Sequence, residues 1–77
     1  MKAYVLLHIR TGEVPQVLNL LGKVASVTEG HMTFGPYDAI AVLEAKDVNT
    51  IGKIISSEIQ PIPGIEETLT CLAVDIG

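Results

Sequence analysis

The sequence is short of several things at once. Among 77 residues it has no tryptophan, one phenylalanine, two tyrosines, one cysteine, two histidines and five basic residues. Each shortage excludes something. The lone Cys71 permits no internal disulfide, and with two histidines it cannot complete a closed zinc site. Lys2, Arg10, Lys23, Lys46 and Lys53 are scattered and form no basic stripe, so direct nucleic-acid contact is not expected. No apolar run approaches the ~20 residues of a spanning helix. Met1-Lys2-Ala3-Tyr4 lacks the order of a signal peptide, so no membrane partner is expected and a reducing cytoplasm is the expected compartment. Gly12, Gly35 and Gly64 stand alone, with no glycine-rich phosphate loop, so neither a nucleotide nor any other cofactor is expected.

What the chain does have is apolar material. Hydrophobic residues make up 48% and charged residues 18%, with a net charge of −4 and a mean hydropathy of +0.44. A domain this small has one thin core. The surplus predicts self-association.

The order of elements is legible from hydrophobic period. Lys2 to Arg10 is β-branched, aliphatic and aromatic without Gly or Pro, a strand. Val14, Val17, Leu18, Leu21 and Val24 fall on one helical face, with Pro15 in the first turn. Residues 24 to 34 read as a strand, with Gly30 as a bulge or close approach. Gly35-Pro36-Tyr37-Asp38 is a turn, and Ala39 to Ala45 the next strand. Asp47 is an N-cap candidate before a second stripe of Val48, Ile51, Ile54, Ile55, Glu58 and Ile59. Gln60-Pro61-Ile62-Pro63-Gly64 ends that helix, and Ile65 to Ile76 is the last strand. The expectation is one α+β domain over 1–77: a ferredoxin-like βαββαβ sandwich, a four-stranded antiparallel sheet with two helices on one face.

Such a sheet should alternate apolar and polar residues if its other face meets water. It does not. Ala3, Val5, Leu7 and Ile9 oppose Tyr4, Leu6 and His8; Ala39, Ala41 and Leu43 oppose Ile40 and Val42; Leu69, Cys71 and Ala73 oppose Leu72, Val74 and Ile76. The helix-free face is expected to be buried in a symmetric dimer.

Catalytic constellations are missing. Glu66 and Glu67 are strand neighbours and face opposite ways, a solvated edge. His8 is expected as a hydrogen-bonded interface residue, His31 as a surface residue, and Cys71 as a small buried hydrophobe. Two segments remain. In Gly35-Pro36-Tyr37-Asp38, ordinary turn chemistry would have Asp38 brace the turn by Asx bonding. In Pro63-Gly64-Ile65-Glu66-Glu67-Thr68-Leu69-Thr70, the hydroxyls of Thr68 and Thr70 share one sheet face.

Together these segments resemble the effector-binding (RAM) domain of the Lrp/AsnC transcriptional regulators. The first is similar to that family's Gly-x-Tyr/Phe-Asp turn, the second to its Gly-Val-x-x-Thr-x-Thr approach to the last strand. The resemblance runs from Ala3 to about Val74. It implies a non-enzymatic sensing and oligomerisation module, with homodimers assembling into octamer or decamer rings. It implies a small-molecule effector, an amino acid, held between dimers by Gly35, Tyr37, Asp38, Thr68 and Thr70. Asp38 would pair with an α-ammonium; threonine hydroxyls and turn N–H groups would hold an α-carboxylate. Pro36 departs from the pattern by removing one turn N–H. No helix-turn-helix precedes the first strand, so a stand-alone effector domain is expected, one able to join full-length Lrp/AsnC relatives. Two alternatives stay open: an ACT-like regulatory domain using Gly12 after strand one, and a small dimeric α/β-barrel enzyme with His8 or His31 as base.

Overall fold

A computed structural model describes residues 1–76. The elements are β1 (Lys2–Ile9), α1 (Val14–Leu21), β2 (Val27–Met32), β3 (Ala39–Glu44), α2 (Val48–Ile54, continued by a π-turn at Ile55–Ile59) and β4 (Ile65–Leu72). The strands form one antiparallel sheet in the order β2-β3-β1-β4. This is the expected ferredoxin-like βαββαβ arrangement.

β1 sits in the middle, and its alternation divides the sheet. Ala3, Val5, Leu7 and Ile9 are buried in the core with Ala39, Ala41 and Leu43 of β3, Val17 and Leu21 of α1, and Ile51, Ile54, Ile55 and Ile59 of α2 and its π-turn. That is the helix side. The cross-strand partners of Ala3, Val5 and Leu7 on β4 are Leu72, Thr70 and Thr68, so those three face the helices too. Tyr4, Leu6 and His8 face away, beside Ile40 and Val42 of β3 and Leu69 and Cys71 of β4.

Several boundaries differ from the periodic reading, each for a local reason. α1 ends at Leu21 because the N–H groups of Lys23 and Val24 donate to Leu20 and Leu21 three residues back, tightening the chain into a turn. Val24 is buried by that turn, and β2 starts later, at Val27. The β2 irregularity falls between Val27 and Glu29 and not at Gly30. β4 ends at Leu72, although the N–H of Ala73 still donates to Lys2 O at 2.9 Å. In α2, Val48 and Glu58 are exposed while Ile59 is fully buried. The π-turn accounts for Glu58: one extra residue in the turn carries residue 59, not 58, to the core face. It closes with the Gln60 N–H on Ile55 O at 2.8 Å, and the hydroxyls of Ser56 and Ser57 both donate to Lys53 O.

Asp47 caps α2 as expected. Its carboxylate accepts the N–H and the hydroxyl of Thr50 at 2.8 and 2.7 Å. The hydroxyl bond first, and the backbone bond second, lower its pKa.

Gly64 fixes how β4 enters the sheet. Its φ is +101°, and a Cβ there would lie 3.0 Å from Val17 Cγ2 and 3.2 Å from Glu13 Oε1. Its carbonyl accepts the Arg10 N–H at 2.8 Å. Gly64→Ala should therefore destabilise the fold by about 1–3 kcal/mol, from the left-handed backbone and the contact with Val17 together. Urea unfolding measures it; a loss under about 0.5 kcal/mol, the ordinary surface value, would contradict this account.

Candidate functional site

The turn between β2 and β3 is held by its own bonds. Thr33 supplies two of them: its hydroxyl donates to Tyr37 O at 2.7 Å, and its N–H donates to Asp38 O at 3.0 Å. The Asx bonding expected of Asp38 is replaced by a longer-range tie. Asp38 Oδ2 accepts the N–H of Ile9 at 2.7 Å, and the Asp38 N–H donates to Leu7 O at 2.9 Å. The carboxylate thus extends the β1–β3 ladder where the β3 backbone turns away. His8 Nδ1 lies 4.0 Å from the same Oδ2, and the His8 and Tyr37 rings pack with centroids 4.6 Å apart. Asp38 keeps 43% of its side chain exposed. Among the described residues no hydrogen bond engages its Oδ1. Gly35 is exposed at the tip, with nothing within 4 Å of where a Cβ would stand.

The threonine pair lies elsewhere. Thr68 and Thr70 share a face, as expected, and it is the helix side of the edge strand β4. Thr68 Oγ1 accepts the side-chain N–H of Gln60 at 3.1 Å. Thr70 lines a groove of about 370 Å³ between α2 and β4, with Val48, Ile51, Gly52, Ile55 and Leu72 among its walls. β1 separates β3 from β4. Asp38 and the threonines therefore lie across β1 from each other, roughly two strand spacings or ~10 Å apart, and the threonines are on the opposite face from His8. One copy of the chain does not gather all five candidate residues into one cavity.

A wider opening of about 720 Å³ lies where the ends of β1, β3 and β4 meet, beside Lys2, Tyr4, Glu44 and Asp75. It contains none of the candidate residues.

Other residues fall as follows. His31 is exposed on the edge strand β2 and pairs with Glu29 at 3.1 Å; Glu66 and Glu67 are exposed on β4. Cys71 corrects the expectation of a buried hydrophobe: it is exposed, because it pairs with Tyr4 on the helix-free face of an edge strand. That face carries Tyr4, Leu6, Ile40, Val42, Leu69 and Cys71, with Tyr4 40% and Leu69 47% exposed. Thr33 and Gln60 escaped sequence reasoning. Thr33 sat at the end of a presumed strand. Gln60 looked like a helix terminator, and its bond to Thr68 spans eight residues with no local pattern to announce it.

The comparisons agree with one another. The family model described as "Lrp/AsnC ligand binding domain" matches residues 2–76. HTH-type transcriptional regulator Ptr1 of Methanocaldococcus jannaschii is 30% identical over 59 residues, 77% of this chain and 40% of that protein. The chain thus spans under half the length of that relative. TTHA0845 from Thermus thermophilus superposes with a TM-score of 0.92 at 29% identity, covering 99% of this chain and 95% of that one. The transcriptional regulator NMB0573 from Neisseria meningitidis, solved as a complex with L-Met, has the same fold: TM-score 0.85 at 13% identity, covering 96% of this chain and 49% of that one.

The Asp38 tie is testable alone. Asp38→Ala leaves the Ile9 N–H without an acceptor beside a buried side chain and should cost about 1–2 kcal/mol, while Asp38→Asn, which keeps an acceptor oxygen, should cost less than half of that. Chemical unfolding of both variants checks it; equal losses would contradict the assigned bond.

Proposed function

The chain belongs to the Lrp/AsnC ligand-binding-domain family, and from that premise we propose that it is an amino-acid sensing and assembly module, not an enzyme, serving transcription regulation in the cytoplasm. The family's curated relatives are HTH-type transcriptional regulators, and kinship with them supports both the role and the compartment. The module acts through homodimers arranged as octamer or decamer rings, and through mixed assemblies with Lrp/AsnC relatives.

One observation carries the reading: the candidate residues fall into two groups on either side of β1, which one copy does not gather into one cavity. The turn offers Asp38 with an open carboxylate oxygen, Tyr37 as an aromatic wall, and Gly35 where a ligand can approach backbone closely. The β4 edge offers the hydroxyls of Thr68 and Thr70. An amino acid has both complementary ends, an α-ammonium for Asp38 and an α-carboxylate for the hydroxyl donors. Two copies juxtaposed edge to turn would complete the pocket, so effector and assembly are linked by mass action. The ligand then shifts assembly only as far as it prefers one arrangement. That the Neisseria neighbour was solved with L-Met supports an amino acid as the effector class.

Calorimetric titration of the protein with each of the twenty amino acids tests this. At least one should bind. Asp38→Asn, which keeps the Ile9 bond but loses the charge, should weaken that binding by about tenfold or more, as for a hydrogen bond to a charged group. Absence of binding by any amino acid would contradict the sensing role.

A further inference from the structure

Near the C-terminal end of β1 the apolar helix-free face gives way to charge. Three neighbouring segments bring three titratable side chains into one row there. His8 of β1 has Glu67 of β4 as its cross-strand partner. On its other side stands Asp38, the residue before β3, with Oδ2 4.0 Å from His8 Nδ1. Directly opposed residues of paired strands share a face, so one imidazole lies between two carboxylates. The Tyr37 ring packs on that imidazole with centroids 4.6 Å apart.

The surroundings leave His8 as the group that can offset those carboxylates. Arg10, two residues on, is engaged by Glu13 at 3.4 Å. On β2, His31 is paired with Glu29 at 3.1 Å, and the two lie beside Ile40 and Val42, outside the row of His8. Leu6, Ile40 and Leu69, the next row of the face, are apolar. Among the described residues no lysine or arginine makes an ion pair with Asp38 or Glu67. With a neutral imidazole the row carries two negative charges, and a proton on His8 offsets one of them. Histidine is the side chain whose charge ordinarily changes between about pH 5 and 8. In a single copy water screens the row: the His8 and Asp38 side chains are 40% and 43% exposed, and Glu67 is exposed. A second copy laid against this face would expel that water, and attraction and repulsion within the row would both strengthen.

We infer that His8 is a proton-operated latch on the sheet-to-sheet dimer. Protonated, it bridges Asp38 and Glu67, and the face closes firmly. Neutral, it leaves both carboxylates desolvated without a counter-charge, and the face opens more readily. The stabilisation is therefore complete below the ordinary imidazole value of about 6.5 and is lost as pH rises through it. This rests on the homodimer proposed above.

Subunit exchange tests it, because an exchange rate is readable however tight the dimer is. Isotope-labelled and unlabelled protein are mixed at pH 6 and at pH 8, and mixed dimers are followed by native mass spectrometry. An exposed charge pair is worth up to about fivefold, and a dimer holds four such pairs, two per copy. Exchange should be at least about tenfold slower at pH 6 than at pH 8. His8→Gln should exchange at nearly equal rates at the two pH values, Glu67→Gln should show a smaller ratio than wild type, and His31→Gln should keep the wild-type ratio. Equal wild-type rates at the two pH values overturn the latch and leave the dimer standing. So does a ratio that survives in both His8→Gln and Glu67→Gln, or one that His31→Gln removes. Wild-type protein that is monomeric at both pH values overturns the dimer and the latch together.

Discussion

β1 is hydrogen-bonded on both sides, to β3 and to β4, and its register decides what every face of the molecule presents. Side chains in a strand alternate with a period of two, so a slip of one residue would exchange the faces. In the observed register Val5 and Leu7 bury the core while Leu6 and His8 look outward. The same register turns Thr68 and Thr70 toward the helices and leaves Leu69 and Cys71 on the far side. The C-terminal end of β1 is pinned on both sides by specific bonds: Asp38 Oδ2 holds the Ile9 N–H beside β3, and Gly64 O holds the Arg10 N–H where β4 arrives. The core, the helix-free face and the two groups of candidate residues thus depend on one strand lying in one register.

The consequence is a molecule with an apolar sheet face and two separated groups of candidate residues. Its helix-free face sets Tyr4, Leu6, Ile40 and Leu69 toward solvent, which a small monomeric domain rarely does with so much of one surface. Its acidic turn and its hydroxyl-bearing edge are separated by the width of β1. On the proposed reading both would be met by further copies of the chain, one against the sheet and one at the edge. Affinity for a ligand and affinity for a partner would then be two aspects of one equilibrium.

Much of this was legible from residues alone, and the failures have physical causes. The lack of polar alternation in Ala3-Tyr4-Val5-Leu6-Leu7-His8-Ile9 announces a strand largely apolar on both sides, and Ala3, Val5, Leu7 and Ile9 are buried while Tyr4 and Leu6 face the other way. Asp47 with Thr50 follows from local capping chemistry. Beyond Ile55, Ile59 falls on the expected stripe and is fully buried, while Glu58 does not, because the π-turn Ile55–Ile59 adds a residue to the helical period that no sequence window encodes. Cys71 was misplaced because burial depends on strand order: on an edge strand, facing away from the helices, a small apolar residue stays exposed. The five candidate residues were found through their resemblance to a family. Their split between two faces follows from topology, which a motif does not carry. Gln60 and the groove beside Gly52 depend on contacts between α2 and β4, and only the assembled fold reveals them.

The central claim is that the helix-free face covers itself with a second copy. Sedimentation velocity at micromolar concentration tests it most directly, comparing the wild-type chain with a Leu6→Glu/Leu69→Glu variant whose secondary structure is confirmed by circular dichroism. Leu6 and Leu69 are cross-strand partners on that face and lie outside the core cluster, so the substitutions spare the helix side. The account predicts a wild-type dimer or a multiple of dimers, and a folded variant that sediments as a monomer. A wild-type monomer, or a variant that assembles as the wild type does, would contradict it.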